Sequence, residues 1–477
     1  MPISVVNIAQ MREWENATWS TGQTEAEVIR RVGKKIAERA LQLTRPGNSI
    51  LILAGKGNNG KDACAAQEFL DDRKFFLLNV TDPKTSLAEF QRGGIILPVR
   101  DRLEACPALI IDGLFGIGLN RALDDDWKKF IETVNQSKIP ILAVDAPSGL
   151  NGETGEVEGA AIEAAITLTV GAPKIGLFAQ SAWPFVGRLE VANDVGLISC
   201  PHATELNWTL PQDFENFPPR RAVAAHKGSL GHLAIVAGSF GFHGASVLAA
   251  RGAQRAQPGL ITLFTQENVY HAVAAQLQSV MVKVWTPEKN LLDAASAILA
   301  GPGLAALDLA DEVKSNTRRL WRDLEKPLIV DASALDWLTV ATLPKGAIRV
   351  VTPHPGEAAR MLNTTAAKVQ ANRPQALREL SKRYGNCWVV LKGHQTLIGR
   401  SEGEIFINSS GNPHLAQGGS GDVLSGFIGG FLAQPQLQND IGKTIRFAVW
   451  LHGATADKLQ AARKNWIVED LILELGN

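Results

Sequence analysis

The sequence predicts an α/β protein of two tandem domains, and two observations predict it. The first is that short apolar runs rich in Ile, Val and Leu recur between stretches of helical character. The second is that this rhythm breaks once, near residue 195, and then resumes. In the first half the runs are SILILAG from residue 49, KFFLLNV from 74, ALIIDGLFG from 108, PILAVDAPSG from 140 and AITLTVGAP from 165. Continuous apolarity over so few residues is what a strand covered on both faces needs, with helices as the crossovers between parallel strands. The break, SCPHATELNWTLPQDFENFPPRRAVAAHKGSLG, carries several prolines and no sustained period, which places a domain boundary between about 200 and 220. Strands resume with HLAIVAGS, GLITLFT, VMVKVW, SAILAGPG, PLIVDASAL, IRVVTPHPGE and CWVVLKGHQTLIG, after which the chain turns helical. The expected domains are residues 1–210 and 211–477, since 477 residues exceed one ordinary core. No short repeat points to a solenoid.

Lys plus Arg and Asp plus Glu are equal at 48 each, so no basic field draws nucleic acid or an acidic membrane, and a small-molecule partner is expected instead. The first twenty residues lack a basic segment followed by an apolar core. No apolar run reaches about 18 residues, so a cytoplasmic protein is expected. Cys64, Cys106, Cys200 and Cys387 are far apart without a C-x-x-C pair. They are expected to be buried apolar residues, with no zinc site or disulfide framework. Nothing explains the 11 Trp against 2 Tyr.

The stretch AGKGNNGKDA, residues 54–63, fits two phosphate-binding patterns at once. A P-loop needs Ser or Thr after Lys61 to hold magnesium, and Asp62 stands there. A dinucleotide fingerprint fits better, with a strand before Gly55, a helix after Gly60 and Asp82 about twenty residues on. A glycine turn that needs positive φ and binds nothing stays open as the alternative. Two further strand ends supply oxygen ligands, Asp112 in IDGLFGIGLNRA and Asp145 with Ser148 in VDAPSGLNGETG. With the amides of Asn58 and Asn59 they make a set suited to a hard cation.

The set G-x-G-N-N-G-x-D, D-x-L-F-G-x-G-L and D-x-P-S-G-L-N resembles the NAD(P)H-hydrate epimerase family over most of residues 1–200. That resemblance implies a Rossmann-like three-layer sandwich and a potassium ion held by Asn59, Asp112 and Ser148. It also implies substrate contacts from Asn58, Asn59, Gly60, Lys61 and Asp62, from Gly116, Ile117, Gly118, Leu119, Asn120, Arg121 and Ala122, and from Asp145, which it makes catalytic. The sequence departs from the family's usual Gly at Lys61 and its usual Ile or Val at Ala146.

In the second half, NSSGNPHLAQGGSGDVLSGFIGGFLAQ sets a glycine cluster before Asp422 and an apolar helical run. Backbone N–H groups at such a helix start hold anions. A hinge into a packed helix explains the glycines but not the acid, whose fitting role is a general base beside bound phosphate. G-x-G-D near the C-terminus resembles the ribokinase-like kinases. The stretches HKGSLGHLAIVAGSFGFHGASVL, AGPG, VDASAL, TPHPGEAARML, LKGHQTLI and GNPHLAQGGSGDVLSG, in this order, resemble the nucleotide-dependent NAD(P)H-hydrate dehydratases over most of residues 215–460. The resemblance assigns substrate contacts to Ala245, Gly303, His354 and Asp422. Nucleotide contacts fall to Lys392, Gly393, His394, Gln395, Thr396 and Gly421. It implies ADP or ATP as co-substrate, Mg2+ beside it and assembly into a homo-oligomer. Ser333 stands where the family commonly has a second Asp. The other enzymatic reading is a ribokinase-like vitamin or sugar kinase with a non-catalytic N-terminal module.

Overall fold

The computed structural model describes residues 2–92, 106–286 and 292–476, which divide into two compact units, Ile3–Glu205 and Leu206 onward with Pro2. Among the described residues no helix is long and apolar enough to cross a membrane.

The first unit begins with a two-residue strand β1 (Ile3–Ser4) and is built on β2 (Ser49–Ala54), β3 (Lys74–Asn79), β4 (Leu109–Gly113), β5 (Ile141–Val144), β6 (Ile166–Val170) and β7 (Arg188–Ala192). The last six form a parallel sheet in the order β3-β2-β4-β5-β6-β7. Side chains alternate across a strand, so Ile50 and Ile52 join Ile36, Ile111 and Val144 in one core layer. Leu51 and Leu53 join Phe130, Ile131 and Ala143 in the other. Each layer is closed by an amphipathic helix. Helix Glu25–Leu43 starts at a capping box of Thr24 with Glu27, and helix Asp125–Gln136 at an Asp124 cap. The chain runs from β2 out to β3 and returns to β4 on the other side of β2. The sheet therefore changes direction between β2 and β4, which opens a crevice at their carboxyl ends.

The second unit carries β8 (Leu206–Trp208), β9 (His232–Val236), β10 (Leu260–Thr265), β11 (Met281–Val284), β12 (Ala297–Ala300), β13 (Leu328–Val330), β14 (Arg349–Val351), β15 (Trp388–Leu391), β16 (Leu397–Gly399) and β17 (Ile405–Ile407). Their order is β8-β17-β16-β15-β14-β13-β12-β9-β10-β11, and β16 is antiparallel to both neighbours. Here the change of direction lies between β9 and β12. Against one face pack helices His243–Ala256 and Ser420–Leu432, whose Val247, Ala250, Phe427 and Ile428 cover Leu233, Ile235 and Leu299. The two helices cross through glycines. A β-carbon on Gly426 would stand 1.9 Å from the Ala249 carbonyl oxygen, and one on Gly252 2.3 Å from that of Val423. Both obstacles are backbone, so neither helix can yield by a rotamer change. Gly426→Ala is expected to cost about 2 kcal/mol or more, read as an earlier urea transition. Gly244→Ala, where an added methyl meets nothing, should leave that transition in place.

The alternation of runs foretold the parallel strands, but three features differ. β1, β7, β8 and β17 were not anticipated, and the single run from Cys387 is a hairpin of β15 and β16. Of the cysteines only Cys387 is buried. Cys64, Cys106 and Cys200 are half-buried, because Cys64 lies at the end of helix Asn58–Ala65 and the other two lie in connecting stretches outside the strands and helices.

Candidate active sites

In the first unit the helix that receives the β2 turn begins at Asn58, capped by Gly57, and so starts before Gly60. None of Gly55, Gly57 and Gly60 has positive φ. Gly55 and Gly60 are glycine for want of space, since β-carbons there would stand 1.9 Å from the Leu114 oxygen and 2.0 Å from the Gly55 oxygen. The turn thereby folds flat onto the end of β4 and brings Asn59 beside Asp112 and Ser148.

These three meet at one point. Asn59 Nδ2 donates to the Phe115 carbonyl at 2.8 Å, and Phe115 N–H donates to Ser148 Oγ at 2.8 Å. Ser148 Oγ donates to Asp112 Oδ1 at 2.6 Å, and its backbone N–H donates to Asp112 Oδ2 at 2.9 Å. Asp112 and Ser148 are wholly buried. Burial pushes the Asp112 carboxyl up to about 6, against the hydrogen bonds from Ser148 and Leu114 that favour its charge. Asn59 Oδ1 is buried and accepts no hydrogen bond, an acceptor left over beside a carboxylate and a hydroxyl. Lys61 turns away from this point. Its Nζ donates to Asn58 Oδ1 at 3.0 Å and pairs with Glu25 at 3.4 Å on the exposed side of the helix.

Asp145, at the end of β5, holds a left-handed backbone of φ +65°, uncommon for a residue with a side chain. Its Oδ1 accepts from Val170 N–H at 3.0 Å and pairs with Lys174, whose side chain is fully buried and also donates to the Val170 carbonyl at 2.8 Å. Burial first, then the charges of Asp145 and Glu15, drive the Asp62 carboxyl well above the usual range. Burial and then Asp145 raise Glu15. Gly116–Ala122 forms the loop beyond β4. Gly116 lies against Asn59, Ile117 and Leu119 turn to apolar neighbours, and Gly118, Asn120, Arg121 and Ala122 are exposed. Lys174 and Glu15 were missed in the sequence, where only tertiary proximity to Asp145 singles them out.

The second unit repeats the arrangement with different chemistry. Gly303, beyond β12, has φ +66°, and a β-carbon there would meet the Phe242 oxygen at 2.3 Å and Ala245 at 3.1 Å, so it sits against the start of helix His243–Ala256. His354 caps helix Pro355–Leu362, its Nδ1 accepting from the N–H groups of Gly356 and Glu357. An imidazole nitrogen that accepts carries no proton, so the ring proton is on Nε2. Lys392, one residue beyond β15, pairs with Asp331 at 2.9 Å and approaches Glu357 at 3.9 Å. A β-carbon on Gly421 would lie 3.3 Å from its Nζ, so the ammonium stands over the first turn of helix Ser420–Leu432. No side chain caps that helix, which starts from Gly419 at φ +93°. Asp422 is in its first turn. Burial pushes the Asp422 carboxyl up to about 7, with Asp331 and Glu357 adding and Lys392 opposing. Burial works against the Lys392 charge, yet Asp331 and Glu357 outweigh it and hold its pKa above the usual lysine value. Glu357 was not singled out in the sequence, although it stands in the T-P-H-P-G-E stretch. No group of three acidic, histidine or cysteine side chains that could hold a metal occurs among the described residues.

The NAD(P)H-hydrate dehydratase family profile matches residues 233–475, and the profile of the YjeF-related protein N-terminus matches residues 25–176. The bifunctional NAD(P)H-hydrate repair enzyme Nnr of Coxiella burnetii is 33% identical, covering 94% of this chain and 93% of its own. The Gloeobacter violaceus enzyme of the same name is 32% identical, with 99% and 97% covered. Among solved structures, a ribokinase-like superfamily protein from Enterococcus faecalis is 26% identical and superposes with a TM-score of 0.50, covering 58% of this chain and 95% of its own. The ADP/ATP-dependent NAD(P)H-hydrate dehydratase of Bacillus subtilis, crystallised with ATP and Mg2+, is 31% identical with a TM-score of 0.48, covering 54% and 91%. With relatives matched over nearly their whole length and a dehydratase profile over half of it, the chain belongs to the bifunctional NAD(P)H-hydrate repair enzyme family.

Proposed function

We propose that the first unit interconverts the R and S hydrates of NADH and NADPH, and that the second returns the S hydrate to the reduced dinucleotide at the expense of ADP or ATP. The observation that carries this reading is the meeting of Asp422, Lys392 and an uncapped helix start at one point of the second unit. Hydration leaves a hydroxyl on the nicotinamide ring, and hydroxide is a poor leaving group. Asp422 takes the hydroxyl proton as the oxygen attacks the terminal phosphorus of the nucleotide, whose bridging P–O bond breaks. The first-turn N–H groups and the Lys392 ammonium neutralise charge on the transferred phosphoryl. The ring C–O bond then breaks, phosphate leaves, the adjacent carbon loses a proton and the ring double bond returns. His354, whose Nε2 lies 3.5 Å from Glu357 Oε1, would contact the substrate beside this centre. Mg2+ would arrive on the nucleotide phosphates, as it commonly does, because Asp331 and Glu357 are already engaged with Lys392.

In the first unit the unpaired Asn59 Oδ1 with Asp112 and Ser148 fits a potassium ion. Bound there, the ion would supply positive charge for oxygen atoms of the dinucleotide. Asp145, clamped by Lys174, is the residue that would pass a proton to the ring hydroxyl as its C–O bond opens with help from the ring nitrogen's lone pair, and take one back as water adds on the other face. Pyridine nucleotides circulate in the cytoplasm, where we place the enzyme. Lys61 pairs with Asn58 and Glu25, away from the ion, so Lys61→Gly should leave potassium stimulation of epimerisation unchanged and weaken substrate binding at most. A glycine variant with a potassium-dependent activity that the parent lacks would contradict this reading.

A further inference from the structure

We infer that Arg373 is a positioning residue that shapes the loop Lys392–Thr396 into a cradle for the anionic part of the nucleotide, a role that rests on the nucleotide reading of that loop. Arg373 opens helix Arg373–Arg383, and its side chain is buried, 7% exposed. Its guanidinium has five N–H donors in a rigid plane. Nη2 donates to the carbonyls of Leu391 at 3.0 Å and Lys392 at 3.5 Å. Nη1 donates to those of Gln395 at 3.3 Å and His394. Four carbonyls, that of Leu391 at the end of β15 and three of the loop, are thus drawn onto a single cation. Burial lowers Arg373 to about 10, which leaves it charged at neutral pH.

In a trans peptide the N–H points opposite to the C=O it shares a plane with. Carbonyls turned inward at Lys392, His394 and Gln395 therefore send the N–H groups of Gly393, Gln395 and Thr396 away from the guanidinium. Successive N–H groups facing one side form a concavity for anions. The loop reaches this shape through positive φ at Gly393, +135°, which glycine allows, and at Gln395, φ +51°, a conformation that a residue with a side chain does not favour and that the guanidinium holds.

A second arginine serves as the control. Arg349, also buried and also lowered by burial to about 10, donates to the carbonyls of Leu320, Trp321 and Leu324 at the end of helix Asp311–Asp323 and to those of Lys326 and Ile348, just before β13 and β14. The chemistry is the same, but it is applied outside the loop. Binding of ADP and of ATP to the full chain is measured first, and the tighter-binding nucleotide is used in the kinetic comparison. Absence of binding of both to the wild-type protein would overturn the nucleotide reading, and this role with it. Arg373→Met should then raise the KM for that nucleotide about tenfold or more while kcat and the KM for the hydrated dinucleotide change less than about threefold. Arg373→Lys should recover part of the loss. Arg349→Met should lower the thermal midpoint as much as Arg373→Met does, with the nucleotide KM unchanged. Arg373 variants that lose thermal stability but keep the wild-type KM for the nucleotide, or an Arg349→Met that raises it equally, would overturn the inference.

Discussion

Asp422→Asn is expected to reduce dehydration by about 10² to 10⁴ in turnover, the usual contribution of a general base, while epimerisation by the same chain persists. The amide keeps the shape of the first turn of helix Ser420–Leu432 but cannot take the hydroxyl proton. Retention of more than a third of the turnover would remove Asp422 from the chemistry. The pH dependence carries a second signature. With its carboxyl at about 7, wild-type turnover should rise with pH, reach half its plateau near pH 7, and fall to roughly a tenth of the plateau one unit lower. Stability should move the opposite way. A folded-state pKa raised above the ordinary 3.8 means that the folded chain binds the proton more tightly than the unfolded chain. The stabilisation is complete below about pH 4 and is lost as pH rises through about 7. The Asn variant should therefore out-melt the wild type at pH 8 and lose that advantage at pH 4.

Lys392→Met is expected to lower turnover by about 10² to 10³, the scale on which removing one preorganised charge donor acts. Its ammonium pairs with Asp331 and approaches Glu357, and it opposes their effect on Asp422. Methionine keeps the apolar stem and removes the charge. Asp422 would then feel two carboxylates without an offset, so the pH profile should shift to higher pH as well as fall in height. A loss of height with an unmoved midpoint would show that Lys392 does not face Asp422, and the arrangement of the site would have to be redrawn.

The sequence was most informative where chemistry is local. β2, β4 and β5 are short, doubly buried Ile/Val/Leu runs, and the proposed site residues lie at or just beyond their ends. Asp112 is within β4, Asp145 directly after β5, Asn59 at the helix start that follows β2 and Ser148 in the turn that follows β5, so all four could be found by reading strand ends. Asp422 could be found because an acid beside a glycine turn is unexpected. What escaped was held by distance along the chain. Lys174 lies 29 residues beyond Asp145, and Arg373 lies 18 to 22 residues before the carbonyls it gathers. Each looks like an ordinary surface cation until the fold removes it from water. The glycines of AGKGNNGKDA were read for their backbone freedom, and the fold uses two of them for their size, a requirement set at Gly55 by the Leu114 carbonyl and at Gly60 by the Gly55 carbonyl. The β15–β16 hairpin escaped because its turn, Lys392–Thr396, contains one glycine and none of the usual two-residue hairpin signals.

The most direct measurement supplies the full chain with a mixture of both hydrate epimers of NADH, potassium and magnesium, in parallel arms with ADP and ATP, and follows reduced-nicotinamide absorbance together with inorganic phosphate. The expected result is recovery of both epimers as NADH in at least one arm, with one phosphate released for each NADH formed. A phosphorylated product that keeps its phosphate, with no reduced nicotinamide recovered in either arm, would contradict it and leave a small-molecule kinase in its place.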